Sequence, residues 1–233
     1  MNKEEGKILV ELQEWMGSDE SIANAAWTST YDKDRREDKY DDPDKVDRIV
    51  RMLIQDGHSV PVESVVMRFW IRMPIFTDRQ HMTHRLASHN GLSGRYRTMP
   101  SDYFKLPKDV KDIFKKAGAD SLIDVYQLQM DSQWTTYNQM IQVLKDAEKN
   151  KVIKNPEFKR CREVVRGVLG TSFMVERTSI FNLRSFGNYM MLRRSDHAQP
   201  EIKQVAELMY QAVIEKGIAP IAIEELEKKG WKI

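Results

Sequence analysis

The sequence predicts an α+β fold, and three observations support that class. Segments whose apolar residues recur at helical spacing outnumber segments in which apolar and polar residues alternate. The two kinds do not follow one another regularly, whereas a regular succession would predict a parallel sheet with helices between its strands. At 233 residues the chain can bury one large domain or two small ones, and it shows no internal repeat or low-complexity tract.

Two segments have the composition of β-strands. In residues 65–73 the odd-numbered side chains are apolar, while Arg68, Trp70 and Arg72 share the opposite face, which predicts a half-buried strand. Residues 172–180 are rich in β-branched and aromatic side chains, and they predict a second strand.

Helices are predicted where apolar residues recur every three or four positions. In the first of them, the recurring residues are Val46, Ile49, Val50, Leu53 and Ile54. Asp44 is a suitable N-cap for this helix and Gly57 a suitable stop. Pro74 suits the first turn of a helix that extends to Arg85, and the polar residues 88–94 predict a loop after it. Further helices are expected at residues 122–149, 155–169, 183–194, 200–213 and 221–229. In the longest helix, the side chains expected to face inward are Val125, Tyr126, Trp134, Tyr137, Met140, Ile141 and Leu144.

The charge balance and the cysteine content exclude several classes of protein. Lys and Arg total 37 and Asp and Glu total 35, and the resulting net charge of +2 argues against a dedicated nucleic-acid binder. Cys161 is the single cysteine, which excludes an intramolecular disulfide and favours the reduced cytoplasm. No uninterrupted apolar run could cross a bilayer, and residues 1–6 contain no apolar signal core. We therefore expect a cytoplasmic protein, with a solvated polar loop at residues 31–44.

Several catalytic motifs are missing or incomplete. His81 and His84 are three residues apart, near Asp78, but no third ligand follows at a fixed spacing, so no metal site is predicted. These histidines are equally consistent with surface or hydrogen-bonded core positions. Residues 91–94 place their second glycine one position too early for a nucleophile elbow, and the chain has neither a P-loop nor a G-x-G-x-x-G motif.

Two polar clusters carry the functional signal. Residues 79–96 combine arginines, amides, hydroxyls and glycines, a mixture that suits recognition of phosphates and heterocycles. A polar loop between core elements is the alternative interpretation. In residues 182–199, a helix would project Ser185, Asn188 and Leu192 on one side, either as the lining of a pocket or as a solvated face.

The first cluster resembles the signature of the flavin-dependent thymidylate synthases. That signature reads Gln-x-x-Arg-His-Arg-x-x-Ser-x-Asn-Glu-x-Ser-x-Arg-Tyr. The residues of this chain in register with it are Gln80, His84, Arg85, Ser88, Asn90, Ser93, Arg95 and Tyr96. The likeness covers most of the chain, including residues 57–63 and 182–201, and it is weakest at residues 107–159.

The resemblance implies a single domain over residues 1–233, in which helices surround a central, mostly antiparallel sheet. It implies an enzyme that methylates dUMP at C5 with FAD, NADPH and methylenetetrahydrofolate, as a homotetramer whose active sites lie between subunits. Its partners would thus be a pyrimidine mononucleotide and a folate, with no nucleic-acid polymer and no membrane. Because Cys161 lies outside both clusters, methylation would proceed without the cysteine nucleophile that other thymidylate synthases need.

The resemblance also assigns residues to roles. The residues implied for FAD are His58, His84, Arg85, Asn90, Asn182 and Asn188. Those implied for the nucleotide are Gln80, Ser93, Gly94, Arg95, Arg166 and Arg193. Catalysis would fall to Arg193 at the pyrimidine edge, with Ser93 and His58. A guanidinium there can stabilise the negative charge that develops as C5 attacks the methylene carrier, and the reduced flavin then supplies hydride.

Two positions depart from the signature: Thr83 stands where the family has arginine, and Gly91 where it has glutamate. These changes remove a guanidinium fork and a carboxylate acceptor. Three interpretations stay open. The enzyme makes dTMP with compensation from Arg79 or Arg97; it methylates or hydroxymethylates dCMP or another pyrimidine nucleotide; or it binds flavin or nucleotide without turnover. An altered substrate is the preferred explanation, and it would suit a phage protein working in the host cytoplasm.

Overall fold

The computed structural model describes residues 6–32 and 42–232. The polar loop predicted at residues 31–44 therefore lies largely outside the described residues. The elements in chain order are β1 (Leu9–Met16), α1 (Asp19–Trp27), α2 (Pro43–Gln55), a 3₁₀ turn (Pro61–Ser64), β2 (Val66–Pro74), α3 (Ile75–His81), β3 (Ser88–Gly91), α4 (Lys108–Lys116), α5 (Ser121–Lys149), α6 (Asn155–Val165), a 3₁₀ turn (Arg166–Val168), β4 (Met174–Asn182), α7 (Leu183–Arg193), α8 (Pro200–Glu215) and α9 (Pro220–Lys228).

The four strands form one antiparallel sheet in the order β1-β2-β4-β3. Strand β2 follows the alternation that the sequence predicts, since Met67, Phe69 and Ile71 are fully buried and the side chains between them are partly exposed. The α+β class and the mostly antiparallel sheet are confirmed.

The described chain forms two compact units. Of the described residues, the first unit contains 6–7, 72–78 and 91–176, and the second contains 8–32, 42–71, 79–90 and 177–232. Strands β2, β3 and β4 and helix α3 contribute residues to both. A single domain over residues 1–233 stays a prediction.

An aromatic core holds helix α7 in the second unit. The ring of Phe69 stacks on Phe186 with centroids 6.0 Å apart, and Phe181 meets Phe69 edge-on at 6.3 Å. Tyr189, one turn beyond Phe186 on α7, contacts Phe181 at 5.4 Å. Helix α8 packs on both α7 and β1. Helix α7 therefore contacts the aromatic core as well as α8.

The turn between β1 and α1 requires glycine. Gly17 has a φ of +90°, and a Cβ atom there would lie 2.6 Å from the carbonyl oxygen of Ser64. Any larger residue would both strain the backbone and push the 3₁₀ turn away.

Helix α5 pairs with α6 in the first unit. Its buried residues are Met130, Tyr137 and Ile141, and the Tyr137 hydroxyl accepts a hydrogen bond from the Met99 amide at 3.0 Å. The prediction that Val125 and Met140 face inward is wrong, because both are exposed. The apolar residues of this helix cover more than one face, so periodicity alone does not select the buried one.

Several predicted boundaries are also wrong. Helix α2 is capped by Asp42, whose carboxylate accepts from the Lys45 amide at 3.2 Å, because Pro43 and not Asp44 occupies the first helical position. Pro74 ends β2, and α3 stops at His81, short of Arg85. The predicted loop at residues 88–94 begins with strand β3, and the helix expected to reach residue 169 ends at Val165.

The helices within residues 6–32 and 42–232 include none that combines the length and apolar character needed to cross a membrane.

Candidate functional site

Both polar clusters of the sequence meet in one pocket of the second unit. The pocket, of about 290 Å³, lies between the turn that follows α3 and the outer face of α7. Its lining residues are Thr83, His84, Arg85, Leu86, Ala87, Ser185, Asn188, Leu192 and Arg193. The structure thus brings together four of the predicted site residues, and it places Ser185, Asn188 and Leu192 on one side of a helix as expected. We call this cavity the Arg193 pocket.

The Arg193 guanidinium is held by three acceptors from the end of α3 and the turn after it. Its Nε donates to Nε2 of His84 at 2.9 Å, and its Nη2 donates to Oγ1 of Thr83 at 3.0 Å and to the Gln80 carbonyl at 3.3 Å. Nη1 makes no hydrogen bond to any residue that the structure describes. Its two N–H groups are therefore available to acceptor atoms of a ligand.

His84 is a neutral acceptor in this arrangement. Partial burial, and then the charge of Arg193, lower the pKa of His84 from 6.5 to about 4. Because an arginine N–H can only donate, Nε2 must carry the lone pair and Nδ1 the hydrogen. The ring also meets Tyr189 edge-on, with centroids 4.5 Å apart. The histidine therefore orients the guanidinium without adding a second positive charge.

The lowered pKa of His84 predicts a loss of stability in mild acid. The unfolded chain, with a His84 pKa near 6.5, takes up its proton before the folded chain, whose value is about 4. The contribution of neutral His84 to the free energy of unfolding is thus complete above pH 6.5 and is lost as the pH falls toward 4. The loss is about 1–2 kcal/mol for a partly solvated ring. Urea unfolding of wild type and His84→Gln at pH 7 and pH 4.5 measures this. Glutamine keeps an acceptor and does not titrate, so an equal loss in both proteins would contradict the prediction.

A chain of hydrogen bonds, buried at His81 and partly buried at His89, supports the turn after α3. His81 contacts the Tyr189 hydroxyl through Nδ1 and the Ser179 hydroxyl through Nε2, each at 2.9 Å. Ser179 continues to Nδ1 of His89 at 3.0 Å, and Nε2 of His89 reaches the His84 carbonyl at 3.3 Å. We call these residues the Ser179 network. His81 is fully buried, so of the two positions that its sequence context allows, the hydrogen-bonded core position is the observed one.

The His84 carbonyl sets the direction of the first hydrogen bond of this network. A carbonyl only accepts, so Nε2 of His89 donates to it. In the His89 tautomer whose Nδ1 carries a lone pair, Ser179 donates to that Nδ1 and accepts from Nε2 of His81, whose Nδ1 accepts from Tyr189. Burial lowers the pKa of His81 well below its usual value and raises that of Tyr189, so the two groups keep these protonation states.

Asn182 and Gln80 serve local structure. The side-chain oxygen of Asn182 caps α7 by accepting from the Ser185 amide at 2.8 Å. The Gln80 side chain donates to Gln199. Glu63 pairs with Arg184 at 2.7 Å near the same helix end. The flavin and nucleotide roles predicted for Asn182 and Gln80 stay predictions.

His58 and Asn90 lie outside the Arg193 pocket. His58 is exposed and lines a separate cavity of about 460 Å³ in the second unit, together with Trp27, Met52 and Val60. Asn90 is exposed on β3. Their predicted flavin roles, and the catalytic role of His58, stay predictions.

The remaining predicted nucleotide residues belong to the first unit. A Cβ atom on Gly94 would lie 2.8 Å from Cδ of Arg166, so only glycine leaves room for the observed conformation of the Arg166 side chain. Arg95 pairs with Glu163 at 2.8 Å, and its amide donates to the Ser93 hydroxyl at 3.3 Å. This part of the first unit therefore combines hydroxyl and guanidinium donors, the groups that bind phosphate. Arg97, a possible compensating residue for Thr83, lies 3.6 Å from Glu176.

Sequence reasoning missed the supporting residues of the site. The sequence predicts no role for Ser179 and Tyr189, because nothing in their local pattern points to histidines about a hundred residues away. It marks Thr83 as a departure from the signature and not as a contact of Arg193. The available signal was the spacing of His81, His84 and His89, which fits neither a metal motif nor a solvated face. No group of three metal-binding side chains occurs among the residues described.

Comparison with known proteins identifies the family. A family model described as thymidylate synthase complementing protein matches residues 11–221. A flavin-dependent thymidylate synthase of Kosmotoga olearia is 32% identical over 94% of this chain and 89% of the relative. The chain belongs to the flavin-dependent thymidylate synthase family. Another member, from Thermotoga neapolitana, is 30% identical over 97% of this chain and 94% of its own. The family and the enzyme class predicted from the sequence, a nucleotide methyltransferase, are confirmed.

Two solved structures share the fold. Both are of PolB, a UMP/dUMP methylase of Streptomyces cacaoi, bound with 5-Br UMP in one and 5-Br dUMP in the other. Their TM-scores are 0.74 and 0.75, at 24% sequence identity, and they cover 97% of this chain. The match covers 96% and 97% of the two PolB chains.

Proposed function

We propose that this flavin-dependent thymidylate synthase methylates dUMP at C5 to form dTMP. FAD is its cofactor, methylenetetrahydrofolate the carbon donor and NADPH the reductant. The observation that carries the proposal is the Arg193 guanidinium, anchored by three neutral acceptors with Nη1 left for a ligand. The family assignment supports the same reaction class.

Arg193 has the chemistry that C5 alkylation needs. C5 is nucleophilic toward the methylene carbon of the folate when the pyrimidine carries negative charge on its ring and carbonyl oxygens, as in the anion left when N3 gives up its proton. A guanidinium keeps its charge at any working pH, and Nη1 offers two donors to one such oxygen. The attack forms the C–C bond, C5 then loses its hydrogen as a proton to solvent, and the C–N bond to the folate breaks, which leaves the transferred carbon on the pyrimidine as a methylene group that one hydride reduces. When bound, FAD supplies hydride chemistry for the final reduction to the methyl group.

The donors of the Arg193 pocket fit part of a flavin cofactor. Arg85 supplies an exposed guanidinium, Asn188 an amide, and Leu192 an apolar surface. A volume of about 290 Å³ is at the lower limit for a small-molecule pocket, so it suits one polar group of the cofactor. We assign His84, Arg85 and Asn188 to that group, and His58, Asn90 and Asn182 to the cofactor on the family resemblance alone.

In the first unit, Ser93, Gly94, Arg95 and Arg166 are proposed to bind the nucleotide. The Arg95 side chain pairs with a carboxylate, that of Glu163. A phosphate is a stronger acceptor with more lone pairs, and it can replace Glu163 as the partner of Arg95.

A second candidate substrate class follows from Thr83. Because Thr83 contacts Arg193, the departure from the signature lies at the residue proposed to touch the base. Methylation or hydroxymethylation of UMP, dCMP or CMP is therefore the alternative reaction, and the related fold of PolB, a UMP/dUMP methylase, makes UMP the first to test.

A product assay tests these proposals together. The purified protein is supplied with FAD, NADPH and methylenetetrahydrofolate, and with dUMP, UMP, dCMP or CMP in turn, and the products are separated by mass. We expect the methyl product of dUMP. A hydroxymethyl product, or product from another nucleotide only, would support the alternative. Bound flavin with no product from any nucleotide would overturn both and leave a non-catalytic flavoprotein.

We further propose a homotetramer in the cytoplasm, with active sites between subunits, as the family resemblance implies. Sedimentation of the flavin-loaded protein measures its mass directly, and a monomer would contradict the assembly. A phage source stays a prediction.

A further inference from the structure

We propose that Thr83 is a positioning residue that orients the Arg193 guanidinium without neutralising it. The proposal rests on the proposed function, in which Arg193 meets the pyrimidine. Its basis is the contact of Thr83 Oγ1 with Nη2 of Arg193, at 3.0 Å, in a pocket that both residues line.

The Thr83 hydroxyl has a fixed direction. It donates its hydrogen to the Gln80 carbonyl at 2.7 Å, so only its lone pairs face Arg193. The same Gln80 carbonyl also accepts from Nη2 of Arg193 at 3.3 Å. Thr83 and Gln80 thereby both accept from Nη2, while His84 accepts from Nε, so two nitrogens of the guanidinium are anchored.

All three partners of Arg193 are neutral, which distinguishes it from its neighbours. Arg194, the next residue, pairs with the carboxylates of Glu207 at 3.0 Å and Glu227 at 3.2 Å. Arg184 on the same helix pairs with Glu63. Carboxylate partners would fix a guanidinium equally well, but they would also compensate its charge. The neutral acceptors leave the full charge of Arg193 for an electron-rich ligand.

Thr83 makes this contact from an exposed position. Its side chain fills no space in the core, so replacing it by a residue of the same shape leaves the packing unchanged. An effect on catalysis would therefore arise through Arg193.

Three variants separate the acceptor from the rest of the side chain. Thr83→Val keeps the shape and removes the hydroxyl, and Thr83→Ser keeps the hydroxyl. Thr135→Val is the matched control, because Thr135 is an exposed helical threonine of the first unit whose hydroxyl donates only to the Asp131 carbonyl. All three are purified with FAD, and steady-state kinetics are measured with the nucleotide that wild type converts.

We expect kcat to fall about tenfold in Thr83→Val, the factor for one hydrogen bond to a charged group, with a smaller change in KM and the same flavin content. Thr83→Ser should stay within about twofold of wild type, as should Thr135→Val. Wild-type kcat in Thr83→Val, or equal losses in the valine and serine variants, would overturn the positioning role.

A readout without turnover separates this proposal from the proposed function. The Nε–H signal of Arg193, assigned by its loss in Arg193→Lys, reports the anchored guanidinium in nitrogen-resolved NMR. We expect faster hydrogen exchange of that signal in Thr83→Val and wild-type exchange in Thr83→Ser. Unchanged exchange in the valine variant refutes the positioning role even if wild type turns over. If wild type converts no nucleotide while exchange responds as expected, only the proposed function fails.

Discussion

Arg193→Ala is expected to lower kcat by about 10²–10³-fold, the usual cost of removing one preorganised donor to a developing negative charge. The guanidinium is fixed by His84, Thr83 and the Gln80 carbonyl, so no other cation of the pocket is held in the same place. Flavin content should persist, because Arg85 and Asn188 are unchanged. The measurement is single-turnover product formation beside the absorbance of the copurified flavin.

Arg194→Ala is the matched control for that variant. Arg194 directly follows the last residue of the same helix, but its partners are Glu207, Glu227 and the ring of Tyr210 at 3.9 Å, all outside the Arg193 pocket. We expect it to cost about 1 kcal/mol of stability and to leave kcat within a few-fold of wild type. Full activity in Arg193→Ala, or equal losses in both variants, would contradict the assignment of Arg193 to the pyrimidine.

Arg193→Lys tests whether charge alone suffices. Lysine keeps a positive charge but lacks the planar fork that reaches three acceptors and still offers two donors. We expect kcat between those of wild type and the alanine variant. A lysine variant as active as wild type would show that the anchoring described for Arg193 has no catalytic consequence.

The parts of the fold that the sequence predicts are those in which burial imposes a period. In β2, alternate side chains are fully buried, so the period of two is visible in the sequence. The sequence does not predict strand β1, because Leu12 is its one buried residue and burial therefore imposes no alternation on it. Strand β3 has the sequence Ser-His-Asn-Gly, so backbone pairing and not apolar burial defines it. Helix α4 also went unpredicted, although Val110, Ile113 and Phe114 recur at helical spacing, and none of its residues is buried.

The site was predictable to the extent that residue types at fixed spacing carry its chemistry. The signature in residues 80–96 and the polar face of α7 placed His84, Arg85, Asn188 and Arg193 in the Arg193 pocket. The contacts that orient these residues were not predictable, since they join side chains about a hundred positions apart. Ser179 lies 98 positions from His81 and 90 from His89. Such pairings depend on the tertiary fold and leave no local pattern.

Ser179→Ala is expected to destabilise the fold strongly for a change that removes a single hydroxyl group. Ser179 is fully buried and joins His81 to His89, so its loss removes the partner of Nε2 of the fully buried His81 and one contact of the partly buried His89. An unsatisfied buried group costs about 1–3 kcal/mol and a lost partly buried hydrogen bond about 1 kcal/mol, which gives roughly 2–4 kcal/mol together. For a chain of this size, Tm should fall by roughly 5–15 °C. Thermal unfolding of the flavin-loaded protein measures it.

Ser64→Ala is the matched control for the Ser179 network. The Ser64 hydroxyl donates only to the nearby Pro61 carbonyl at 2.7 Å, so its removal should cost about 1 kcal/mol or less. Because Tyr189 and Ser179 hydrogen-bond to the same His81 ring, Tyr189→Phe and Ser179→Ala should also be non-additive: once Ser179 is gone, His81 can turn its remaining hydrogen bond to Tyr189 either way. Equal losses in Ser64→Ala and Ser179→Ala would contradict the network, and strict additivity of the double variant would show that its bonds act separately. The Ser179 network ends at the His84 carbonyl, and the His84 ring anchors Arg193. A lower kcat together with a loss of stability in Ser179→Ala would therefore show that the network also affects Arg193.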